Sequence, residues 1–291
     1  MNHSIENNRT SISVSTKGAE LQSFFDKHTG TEYMWGGNPD FWGKKSPVLF
    51  PIVGSLKDNT YFFNHKSYQL GRHGFARDRE FTLNEHNENS LLFSIQSDES
   101  SLKIYPFEFE FSILYTLKEA ELSVTYIVKN TGNDSMFFSV GGHPAFKVPI
   151  FDGDEYTDYS LVFNKTETTG RWPITAGGLI DTAPVPLLQD CDTIRLNKEL
   201  FQKDAIVLKN LNSDEVKLIS AKNNRGINFS FAEFAYLGIW SAKNADFVCI
   251  EPWCGIADSA NTNQSLVNKE GINKLAPACM WERKWCISII E

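Results

Sequence analysis

Three short segments of the 291-residue chain place a titratable side chain where the backbone has been made unusually free or unusually apolar. In Gly71-Arg72-His73-Gly74-Phe75-Ala76-Arg77-Asp78, a histidine lies among glycines with Arg72 and Arg77 close by. In Phe137-Phe138-Ser139-Val140-Gly141-Gly142-His143-Pro144-Ala145-Phe146, an apolar strand runs into two glycines and then His143. In Phe247-Val248-Cys249-Ile250-Glu251-Pro252-Trp253-Cys254-Gly255, an apolar run carries a carboxylate followed by Pro and Trp. A glutamate leaving a core strand is partly desolvated, which raises its pKa toward the range a general base needs near neutral pH. Neutral imidazole both donates and accepts, so His73 and His143 suit proton transfer, and Arg72 and Arg77 can fork onto hydroxyls or a phosphate. Each segment also has a plain structural explanation: a hairpin loop with solvated charges for His73, a β-bulge for His143, and a strand-ending carboxylate for Glu251.

Other chemistries find less support. No histidine stands in an HxH or HExxH arrangement, so no metal site is expected. No GxSxG elbow marks a nucleophilic serine, and neither Cys249 nor Cys254 shows a sign of activation. Neither GxxxxGK[ST] nor a strand-following GxGxxG occurs, so no nucleotide cofactor is expected either. Two histidines and one carboxylate leave proton transfer as the economical chemistry.

The elements that must hold these groups are strands. Period-two alternation recurs at 11–16, 90–97, 107–117, 121–129, 159–164, 205–211, 215–220, 227–231 and 284–290, separated by Asn-, Gly- and Asp-rich turns. The best helical patterns, 38–42 and 197–201, are too short to cover a sheet. The expectation is an all-β sandwich of mostly antiparallel strands, with helix under about a fifth of the chain. No linker or repeat divides the sequence, so residues 1–291 read as one domain. Hydrophobic residues at 41% and charged residues at 22% supply an ordinary globular core, and a 13% aromatic share leaves rings to line a groove. The net charge of −8 argues against a nucleic-acid partner. The absence of a long apolar run argues against a membrane partner. The polar first residues, and five cysteines without a CxxC pair, lead to the expectation of a cytoplasmic protein with free thiols. Whether it works alone or as a homodimer is left open.

The segments His73–Arg77, Gly141–Phe146 and Phe247–Asp258, in this order, resemble the aldose 1-epimerase (galactose mutarotase) family, above all its bacterial subgroup associated with lactose-operon genes. The likeness extends to Leu49–Gly54, Phe201–Leu208 and Tyr236–Ser241. It implies a galactose-mutarotase-like β-supersandwich, no cofactor, a small sugar as substrate, and interconversion of α and β anomers through an open-chain aldehyde. By motif, Glu251 would be the general base, His143 the general acid, and His73 a hydrogen-bonding partner of the ring. Members often carry an arginine after the FPxxG segment, where this chain reads Gly54-Ser55-Leu56-Lys57-Asp58. Lys57, Arg72 or Arg77 would replace that contact. Asp204 is a candidate for sugar hydroxyls, or simply a turn residue, and Trp253 a candidate stacking surface. The alternatives are a hexose-6-phosphate mutarotase, against which no cluster of three basic residues adjoins one motif, and a non-catalytic carbohydrate-binding protein.

Overall fold

A computed structural model describes residues 1–291. Its frame is 51% strand and 8% helix, with every ladder between named strands antiparallel. The largest sheet has nine strands, in the spatial order Val185–Arg195, Tyr159–Arg171, Glu215–Ser220, Gly226–Ser230, Met280–Ile290, Glu121–Asn130, Phe109–Lys118, Ser90–Gln96 and Thr82–His86. Alternation builds it. Along Phe109–Lys118 the residues Phe109, Phe111, Ile113, Tyr115 and Leu117 are buried, because successive side chains point to opposite faces.

A six-stranded sheet faces it, ordered Ile206–Lys209, Tyr236–Trp240, Phe247–Cys254, Val140–Gly142 and Val48–Leu49, with Ala145–Lys147 also on Phe247–Cys254. A core of 60 buried residues fills the space between the sheets and reaches under the N-terminal sheet of four strands. Aromatic rings bridge the sheets. Phe50 stacks on Phe111 at a centroid separation of 4.4 Å, and Phe146 meets Phe229 edge-on at 6.0 Å.

The expected strands all occur, with ends shifted by a few residues. The 38–42 pattern closes a single turn, Trp42 N–H donating to the Asn38 carbonyl, and 197–201 forms a short 3₁₀ turn over Lys198–Phe201. The one α-helix, Glu99–Ile104, escaped the periodicity because it is six residues long. It starts at Asp98, whose side chain accepts from Ser101 N–H while the Ser101 hydroxyl accepts from Asp98 N–H. No helix is long and apolar enough to cross a membrane.

Candidate active site

The floor of the site is the strand Phe247–Cys254, buried at every position. Its residues alternate between two apolar environments: Val248, Ile250 and Cys254 enter the main core, whereas Phe247, Cys249 and Trp253 join two small clusters on the sheet's outer side. Glu251 shares the outer face. On one side it pairs with Gly238; on the other, the neighbouring chain pairs through Gly141 with Trp253 and through Ala145 with Cys249. His143 and Pro144 fill the break between those two short strands, which brings His143 opposite Glu251. Ile250 N–H donates to the Pro144 carbonyl, so the missing N–H of Pro252, two residues on, falls at the same break and costs no ladder bond. The result is His143 Nε2 at 3.3 Å from Glu251 Oε2.

The first glycine before His143 makes room for a ring. A Cβ on Gly141 would sit 2.6 Å from the Trp253 indole, and one on Gly238 would sit 2.5 Å from it. Trp253 therefore lies flat across two adjacent strands that keep glycine beneath it.

His73 reaches the floor from a loop with left-handed backbone, φ 67° at His73 and 69° at Gly74, a conformation costly for a non-glycine residue. Two bonds with Gly54 hold it: His73 N–H donates to the Gly54 carbonyl at 2.9 Å, and Gly54 N–H donates to Nδ1 at 3.1 Å. Arg72 Nε also lies 3.2 Å from Nε2. A neutral imidazole cannot accept at both nitrogens. With Nδ1 accepting from the backbone of Gly54, the ring proton belongs on Nε2. The His73 and His143 rings stand edge-on at 5.9 Å.

Burial sets the proton inventory. It pushes His143 down to about 3. His73 is held well below its ordinary 6.5 by burial first, then by His143, Arg72 and Arg77. Burial drives Glu251 well above 4.5, with the Arg72 charge pulling the other way. Burial thus favours the neutral form of both groups, so the proton of the His143–Glu251 pair is favoured on the carboxyl. Glu251 Oε2, His143 Nδ1 and Trp253 Nε1 are buried without a hydrogen-bond partner in the chain, and such atoms are rare enough to require a reason.

These groups line a cleft of about 820 Å³. Of the expected site residues, Arg72, His73, Arg77, His143, Asp204, Glu251 and Trp253 converge on it; Lys57 does not. Gly54, at φ 72°, turns the chain away, and Asp258 fastens the segment beyond it. Asp258 N–H donates to the Ser55 carbonyl, and Asp258 Oδ2 accepts from Lys57 N–H at 3.0 Å. Asp258 is itself held by buried Lys269 at 2.8 Å. Asp204 lies at a strained φ of 97° on the cleft wall.

Sequence reasoning missed several lining residues. Trp42 packs tilted against His143 at 4.9 Å and 30°, and Trp240 meets it edge-on at 5.6 Å. These half-buried rings offer the aromatic surface expected of Trp253, which is only 5% exposed. Lys203 and Lys243 lie on the same wall. Cys249 Sγ groups with the imidazole of His143 and the carboxylate of Glu251, their ligating atoms within 4.8 Å of one another, a set that could hold a metal ion. Burial raises both the thiol and the carboxyl, favouring the protonated forms that ligate poorly.

With this geometry in view, comparison with known proteins is decisive. A model of the aldose 1-epimerase family matches residues 1–266. The chain belongs to the aldose 1-epimerase family. It is 34% identical to the chromosomal LacX protein of Lactococcus lactis, over 99% of both chains. A solved galactose mutarotase related enzyme from Lactobacillus acidophilus superposes with a TM-score of 0.95 at 36% identity, covering 100% of this chain and 98% of that one. A galactose mutarotase-like protein from Lactobacillus casei gives 0.92 at 28% identity, with 100% of each chain covered. The fold is the galactose-mutarotase-like β-supersandwich expected from the motifs.

Proposed function

We propose that this member of the family is an active aldose 1-epimerase, interconverting the α and β anomers of an aldose by general acid/base ring opening and closure. The observation that carries the reading is the His143–Glu251 pair, 3.3 Å apart on the floor of a cleft and buried with unpartnered polar atoms. In ring opening, Glu251 takes the proton of the anomeric hydroxyl as His143 delivers one to the ring oxygen. The starting state forms when the shared proton crosses from the Glu251 carboxyl to His143 Nε2. His73, neutral and carrying its proton on Nε2, hydrogen-bonds the sugar where charge develops. Rotation about the bond to the aldehyde carbon presents its other face, and closure reverses the roles. Each relay contributes about 10²–10⁴-fold. Trp42 and Trp240 provide an apolar wall for the pyranose.

Polarimetry, or saturation-transfer NMR of anomer exchange, over a panel of aldoses tests this. Acceleration over buffer that survives exhaustive chelation is the expected result. Binding without acceleration would make the chain a carbohydrate-binding protein, and loss of rate restored by one metal would replace the proton-pair chemistry.

A further inference from the structure

Charge in the cleft runs opposite to charge on the chain. The sequence has 36 acidic and 28 basic residues, yet Arg72, Arg77, Lys203 and Lys243 line the cleft against two carboxylates, Asp204 and Glu251. Burial favours the neutral form of Glu251. The cations come from three separate stretches of sequence, which is why no basic cluster was visible beside any one motif. They are also unneutralised. Neither Arg72, Lys203 nor Lys243 has a carboxylate within ion-pair distance, and Arg77 has only a 3.8 Å approach to Asp78. Arg77 Nη2 donates instead to the Arg72 carbonyl at 3.0 Å, which keeps the two arginines together.

We infer that the cleft is built for an aldose carrying an anionic group, a phosphate or a carboxylate, on the carbon farthest from the anomeric centre; this rests on the mutarotase reading. Depth assigns the two ends. Glu251 and His143, at 1% and 8% exposed, fix the anomeric carbon at the floor, whereas Lys203 and Lys243 are exposed residues on the wall. A sugar with its anomeric hydroxyl on Glu251 therefore turns its far end toward Lys203 and Lys243. A phosphate or carboxylate there would gain charge-assisted hydrogen bonds in a partly desolvated cleft.

The test compares anomer exchange of galactose, galactose 6-phosphate and galacturonate by saturation-transfer NMR, with wild type and with the Lys203→Gln/Lys243→Gln double variant. At least one charged sugar should exceed galactose in kcat/KM by about tenfold, and the double variant should erase about that factor through KM. Which charged sugar is favoured identifies the anion. Galactose turned over as well as both charged sugars, or a charged-sugar KM untouched by the double variant, would overturn the inference. If no sugar is interconverted, the mutarotase reading fails, and calorimetric titration with galactose 6-phosphate and galacturonate decides the anion site alone. Binding of either that is lost in the double variant supports the site; equal binding, or none, removes it.

Discussion

Glu167 and Glu251 are each 1% exposed, and the chain treats them in opposite ways. Glu167 lies within the strand Tyr159–Arg171, where its register against Val185–Arg195 slips. Its two carboxylate oxygens accept from Asn212 N–H at 3.1 Å and Ser213 N–H at 2.7 Å. The turn after Ile206–Lys209 is thereby pinned to the large sheet. Glu251 sits in a strand buried at every position, and its Oε2 has His143 at 3.3 Å but no hydrogen bond. Burial alone does not mark a working carboxylate. On the proposed mechanism, the mark is burial with an oxygen left unsatisfied, which favours a carboxyl that keeps its proton.

The widest separation between the two should come from replacing each with glutamine. Glu251→Gln keeps the shape but cannot accept a proton, and kcat for mutarotation should fall by at least about 10²-fold while sugar binding changes much less. His143→Asn should behave alike. Wild-type anomer exchange by folded Glu251→Gln protein would remove the acid/base assignment. Glu167→Gln should instead leave kcat near wild type and lower stability by about 1.5–3 kcal/mol, because one carboxamide end presents N–H to backbone N–H. Urea denaturation measures that cost, and a kcat loss of Glu251 size at position 167 would dissolve the contrast.

A smaller effect should come from disturbing the floor without touching its ionisable groups. Gly238 is the cross-strand partner of Glu251, and a Cβ there meets the Trp253 indole at 2.5 Å. Gly238→Ala should cost about 1–3 kcal/mol by overpacking and lower kcat by displacing the carboxyl. A variant as stable and as active as wild type would show that Trp253 yields freely and does not position Glu251.

How far the sequence foretold this arrangement depends on the same distinction. Alternation exposed the strands of the large sheet, because one face of that sheet meets solvent and the 2.0-residue period is written in side-chain polarity. His73, His143 and Glu251 stood out because each interrupts its surroundings with a polar group, and the resemblance supplied their order. The rest depends on approach between distant segments. Trp42 against His143, and Lys203 and Lys243 on the same cleft as Arg72, are joined only by the folded chain. Lys57 misled because proximity to Gly54 in sequence says nothing of which way Gly54 turns the chain. The need for Gly141 shows only in the fold, where the Trp253 indole lies across it, and Gly142 leaves room for the Tyr126 hydroxyl instead.

The finest distinction between the two glutamates concerns pH. A carboxyl whose folded pKa lies well above 4.5 keeps in the folded state a proton that the unfolded chain releases. Stability then falls as pH rises from 4.5 toward the folded pKa. His143, held to about 3 against an ordinary 6.5, acts on the other limb. The unfolded chain binds a proton there that the folded one refuses, so stability falls as pH drops from 6.5 toward 3. Wild type should therefore be most stable on mildly acidic ground, with the two slopes partly cancelling between 4.5 and 6.5. Glu251→Gln removes the upper slope alone. Its melting temperature relative to wild type should rise as pH is raised above 4.5 and level off once the wild-type carboxyl ionises, whereas Glu167→Gln should stay below wild type through its lost hydrogen bond. Thermal melts of the three proteins across that range measure the difference. A Glu251→Gln offset that does not change with pH would mean that Glu251 is ionised in the empty cleft, and the shared proton would then have to arrive with the sugar.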